Sequence, residues 1–112
     1  MSDKINQEIE QAVKLERSGE VLREKLNQET AKIGWPAVER LFANGQVIWV
    51  EKPLDLIDVA LQVAENNQIQ IEKWLNKKNI YPLTDNLAQT WHSEQDEKWA
   101  LVVKPWVLVQ NL

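Results

Sequence analysis

A chain of 112 residues with a formal net charge of −4 and no cysteine is sized for one domain and excludes disulfides, zinc–thiolate sites and thiol nucleophiles. Its 13 basic and 17 acidic residues are interspersed. This argues against nucleic-acid binding through a broad basic face, because neutralisation of phosphates by Lys and Arg dominates such affinity.

The opening MSDKINQEIEQ lacks the apolar core of a secretory signal. No apolar run approaches the roughly 18 residues of a membrane span. The expectation is a soluble cytoplasmic protein with no membrane partner, and the lack of cysteine fits a reducing compartment. Residues 3–17 read as an amphipathic helix, with Ile5, Ile9, Ala12 and Val13 at i, i+4, i+7 and i+8. Ser18-Gly19 breaks it, so residues 1–18 are set apart as a helical extension of a domain spanning 19–112. A second helix carries Leu22, Leu26, Thr30 and Ile33 on one face and ends at Gly34. Trp35-Pro36 opens a third, with Val38, Leu41 and Phe42 inward and a stop at Asn44-Gly45.

Residues 46–50 form a short strand, apolar on both faces and therefore interior. Pro53 ends it. The helix over 55–65 has two apolar stripes, Leu54, Ile57, Leu61, Ala64 and Leu56, Val59, Ala60, Val63. Only Asp55, Asp58, Gln62 and Glu65 remain as a polar strip, which places this helix at the centre of the domain. Asn67 and Gln70 resemble a capping box for a further helix with Ile71, Trp74 and Leu75 inward. Residues 80–83 are extended, with Pro82 restricting them to an edge. Thr84 caps a short helix that turns Leu87, Ala88 and Trp91 inward, and residues 92–97 form a polar loop.

The end of the chain, WALVVKPWVLVQNL, holds two of the six tryptophans. Chain ends are normally polar and frayed, and an extended apolar segment must be paired and covered or it aggregates. It reads as two strands hinged at Pro105. Trp99, Leu101 and Val103 share one face of the first, and Trp106, Leu108 and Gln110 share one face of the second. The second half completes either this chain's sheet or a partner's. The whole reads as an α+β domain, with five or six helices packed around a small sheet of three or four short strands.

Several segments in order carry a family resemblance. Leu22 and Leu26 lead to Glu29-Thr30-Ala31-Lys32-Ile33 and Trp35, and Gly45 precedes Val47. Leu54-Asp55-Leu56-Ile57-Asp58-Val59-Ala60 and the terminal WALVVKPWVLVQ follow. Together they resemble a small bacterial family catalogued as domain of unknown function 2288, over about residues 20–110. The resemblance implies a compact, stand-alone cytoplasmic domain. It brings no activity, cofactor or catalytic residue.

Two functional classes follow from the residues. The first is a non-enzymatic protein-interaction module, expected to be a homodimer, with Trp99, Trp106 and Leu108 as the candidate interface, since Trp is enriched at hot spots and two-fold dimers are the commonest small assemblies. The second is a small enzyme or a ligand- or metal-binding protein. Its candidate polar cleft combines Asp55 and Asp58, at i and i+3, with His92, the one histidine, beside Trp49 or Tyr81. The plainer role for Asp55 is to cap its helix, with Asp58 in the first turn favoured by the helix dipole. No nucleophile motif or phosphate-cradling glycine loop occurs, and no cofactor is expected.

Overall fold

The computed structural model describes residues 22–112; the expected helix over 3–17 and the break at Ser18-Gly19 lie outside them. Helix α1 covers residues 22–29, followed by β1 (Ala31–Ile33), α2 (Trp35–Ala43), β2 (Val47–Val50) and α3 (Leu56–Ala64). Then come α4 (Gln68–Asn76), β3 (Ile80–Pro82), α5 (Asp85–Glu94), β4 (Lys98–Val103) and β5 (Trp106–Gln110). The five strands form one sheet in the order β1-β4-β5-β2-β3. All neighbours are antiparallel except β2 and β5, which run parallel.

Strand alternation divides the core into two layers. On one face Val47, Trp49, Ala100, Val107 and Val109 meet α2 and α5 through Trp35, Val38, Ala88 and Trp91. On the other, Val50, Ile80, Leu101 and Leu108 meet α1 and α3 through Leu26, Leu56, Val59 and Ala60, with Ile71 and Trp74 of α4 at the margin. The fold is α+β, with helices on both sheet faces.

Local chemistry sets the helix limits. Pro36 lies in the first turn of α2, and Gly45 (φ 72°) takes the left-handed turn that ends it. The Asp55 side chain accepts from Ile57 N–H at 2.8 Å, that of Asn67 from Gln70 N–H at 3.2 Å, and that of Thr84 from Leu87 N–H at 3.2 Å.

The structure changes the expected picture at five points and decides between the two readings of the tail. The sheet has five strands. The second helix stops before Ile33: Thr30 N–H makes its last ladder bond, to the Leu26 carbonyl (3.1 Å), which also accepts from the Thr30 hydroxyl (2.8 Å). Ala31–Ile33 then pairs with β4. Helix α3 covers one sheet face rather than occupying the centre, with Ala64 exposed and Ile57 and Val63 half-buried; β5, flanked by β4 and β2, is central. Leu75, expected inward on α4, is 42% exposed. His92, Ser93 and Glu94 are helical, so the polar loop shrinks to residues 95–97. Lys104-Pro105 is the turn of a β4–β5 hairpin, and the segment after it completes this chain's own sheet. Among the described residues no helix is long and apolar enough to cross a membrane.

Candidate functional site

The densest polar arrangement lies where the parallel strands β2 and β5 end. Lys98 opens β4 opposite Ile33, and continuing the β4–β5 register by one residue and the β2–β5 register by two sets Glu51, Asn111 and Lys98 in a row on the α2/α5 face. Lys98 is only 6% exposed. Its ammonium donates to Asn111 Oδ1 (2.8 Å) and Asp96 Oδ2 (3.2 Å). It also lies 5.5 Å from the ring centroid of Trp49 and 5.6 Å from that of Trp91, within cation–π range. Trp91 Nε1–H donates to the Asp96 carbonyl at 2.9 Å. A buried charge is tolerated only when it is paired and hydrogen-bonded, and Lys98 meets that condition. It ties the loop after α5 to the end of β5.

One strand over, Glu51 Oε1 accepts from Trp49 Nε1–H at 3.0 Å and from the Tyr81 hydroxyl. Burial, and then the bond to Glu51, push the Tyr81 phenol up to about 12. Tyr81 is therefore a fixed donor at neutral pH.

Glu51 and Tyr81 border an open groove of about 920 Å³ whose other walls are Leu75, Lys78, Ile80, Pro82, Thr84 and Leu87. This groove follows β3, the outermost strand on that side. Glu51 N–H bonds to the Asn79 carbonyl and Leu83 N–H to that of Val47, both at 2.9 Å, so residues 79, 81 and 83 address β2. By antiparallel alternation Ile80 directs its N–H and C=O outward. Pro82 directs out a carbonyl alone.

A second groove, of about 580 Å³, lies on the other sheet face toward the β1 side. It runs between the end of α1, the Pro53 turn and the start of α3, and Asn27, Thr30, Asp55, Trp99 and Gln110 supply its polar and aromatic surface.

The residues expected from the sequence are dispersed. Asp55 caps α3, and Asp58 accepts a charged hydrogen bond from Arg23, both on the α1/α3/α4 side. His92 is exposed in the last turn of α5 on the opposite side, its ring centroid 6.1 Å from that of Trp35. The fold does not bring His92 to the two aspartates. Of the three tail residues, Leu108 is 1% exposed and belongs to the core, Trp99 is half-buried with Lys32 Nζ 5.2 Å from its ring centroid, and Trp106 is 38% exposed. The sequence reading weighed Trp49 and Tyr81 but passed over Glu51 and Lys98. One signal was present: Lys98 is the polar member of the alternating face Lys98, Ala100, Val102 of a strand that otherwise reads as core.

Residues 21–111 match the family described as Protein of unknown function (DUF2288). The chain belongs to the DUF2288 family. The solved NMR solution structure of PA1075 from Pseudomonas aeruginosa is similar to this DUF2288 chain, at 32% identity and a TM-score of 0.71, over 81% of this chain and 84% of that one. No curated protein matches. Among the described residues of this family member, no group of three or more His, Cys, Asp or Glu is arranged to hold a metal ion.

Proposed function

We propose that this DUF2288 protein is a non-enzymatic, cytoplasmic interaction module that pairs with a second copy of itself along the edge of β3, the outermost strand on that side among the described residues. The observation carrying this reading is the largely apolar groove beside an edge strand whose Ile80 N–H and C=O point outward. Strand addition at such an edge takes its affinity from main-chain bonds and its specificity from flanking pockets. A two-fold pair centred on Ile80 exchanges both of that residue's main-chain bonds with the same residue of the copy. Pro82 supplies no donor and so limits the pairing to a short stretch, which favours a closed dimer over an open fibre. The groove is also self-complementary in charge. It holds one acid, Glu51, and one base, Lys78, so two copies can set each against its opposite.

Sedimentation equilibrium tests the reading. The expected result is a wild-type dimer that Leu75→Asp dissociates, with helix and strand content unchanged because Leu75 is already 42% exposed. Trp106→Ala leaves the dimer intact. A wild-type monomer at millimolar concentration, or dissociation by Trp106→Ala and not by Leu75→Asp, overturns the assignment to β3.

A further inference from the structure

The groove beside Trp99 is separate from the β3 edge, and its chemistry points to a different occupant. We propose that it binds a small organic cation, an ammonium or guanidinium group on a short apolar body. The volume of about 580 Å³ falls within the range of small-ligand sites, and such sites combine apolar walls with a few fixed polar groups. Leu56 and Ile57 give the apolar wall.

Three of the polar groups are left with accepting atoms. Gln110, 9% exposed, donates its amide N–H to the Leu54 carbonyl, which leaves Oε1 for the groove. Thr30 donates its hydroxyl proton to the Leu26 carbonyl at 2.8 Å, which leaves oxygen lone pairs. Asp55 uses Oδ1 to accept from Ile57 N–H at 2.8 Å and keeps a second oxygen. Arg23 bonds Asp58 and not Asp55, and it feels the Asp55 charge only as the weakest of its influences. The Asn27 amide can serve in either sense.

An occupant must therefore bring donors and positive charge. An anion would be drawn to the first turn of α3, but Asp55 already fills that position. Trp99 adds an independent sign. A tryptophan face attracts cations through its quadrupole, and this ring already carries one, the ammonium of exposed Lys32 at 5.2 Å from the centroid. Lys32 does not line the groove, so its contact shows that this ring takes a cation and sets a like charge near an occupant.

The test is an NMR titration of the full chain with butylammonium, butylguanidinium and, as a neutral mimic, butylurea. Both cations are expected to shift the Trp99 indole N–H and the Ile57 amide saturably, while butylurea does not. Asp55→Asn keeps the helix cap, because Asn caps as well as Asp, yet removes the charge. It weakens binding severalfold. Lys32→Ala removes the resident ammonium and tightens binding. A blocked Gly-Arg-Gly peptide separates two sources of the same group: tighter binding than butylguanidinium assigns the site to a protein-borne arginine, weaker binding to a free small molecule, and either upholds it. No saturable shift, an equal response to butylurea, or indifference to Asp55→Asn overturns the proposal. None of these readouts depends on the β3 dimer, so either idea can fail alone.

Discussion

The two faces of the sheet are built differently. Toward α1, α3 and α4 the fully buried residues are aliphatic: Leu26, Val50, Leu56, Val59, Ala60, Leu61, Ile80, Leu101 and Leu108. Toward α2 and α5 the layer is built on Trp35, Trp49 and Trp91, with the rings of Trp35 and Trp91 edge to face at 5.7 Å. Indoles bring N–H groups that need acceptors; Glu51 accepts from Trp49 and the Asp96 carbonyl from Trp91, while the buried ammonium of Lys98 lies over both ring faces. Among the described residues, one face buries a single neutral polar side chain, Gln110, at its margin, and the other buries a charge and organises partners around it. A charge should therefore be fatal on the first and replaceable on the second.

The largest effect tests the aliphatic face. Leu108 is 1% exposed in the central strand, and Leu108→Asp would leave a carboxylate there with no partner. The expected loss exceeds about 4 kcal/mol, a large part of the roughly 5–15 kcal/mol that holds a domain together. Circular dichroism should show an unfolded or collapsed chain. A folded Leu108→Asp protein would refute the division of the core.

A smaller effect tests the tryptophan face. Lys98→Met keeps the length of the side chain and its contact with both indoles while removing the charge. The partners left behind, Asp96 and Asn111, are exposed and can turn to water. Replacing a buried ion by a well-packed apolar residue is often neutral, so urea unfolding should place Lys98→Met within about 1 kcal/mol of wild type, and Lys98→Ala, which leaves a cavity, about 2–3 kcal/mol below. A loss of more than that for Lys98→Met would make the charge itself the organiser of this layer.

The same contrast explains what could be read from the chain alone. The aliphatic stripes of α3 and the alternation of β2 repeat within a few residues, so pattern reveals them. Asp55, Asn67 and Thr84 announce their helices because a cap is chemistry between close neighbours. The tryptophan face works over long separations. Tyr81 meets Glu51 across 30 residues, and Lys98 meets Asn111 across 13. Strand β1 is three residues long and its register partner for Ala31 is Ala100; within 30–33 nothing signals a strand, and Thr30 and Ile33 fit the helical stripe begun by Leu22 and Leu26. The pair Asp55 and Asp58 was legible as a helix start. Its separation from His92 was not, since only the sheet between their helices decides it.

An effect smaller than the loss expected for Lys98→Ala belongs to the Tyr81–Glu51 bond, and its sign follows from the phenol. Its ordinary value is 10.0, and burial followed by the bond to Glu51 raises it to about 12 in the folded chain. A group whose folded value is raised favours the fold while it stays protonated. Tyr81 therefore contributes its full share of stability below pH 10, and that share disappears as pH climbs from 10 towards about 12. Urea midpoints for wild type should fall across this window, and Tyr81→Phe should flatten part of the fall. Near neutral pH the same substitution removes one hydrogen bond to a charged acceptor, worth about 1–2 kcal/mol in a half-exposed setting. Glu51 keeps its second partner, the Trp49 indole, so the carboxylate is not orphaned. If Tyr81→Phe shows the same alkaline slope as wild type, the phenol does not titrate with folding, and the donor that links β3 to the end of β2 is no part of what holds the tryptophan face together.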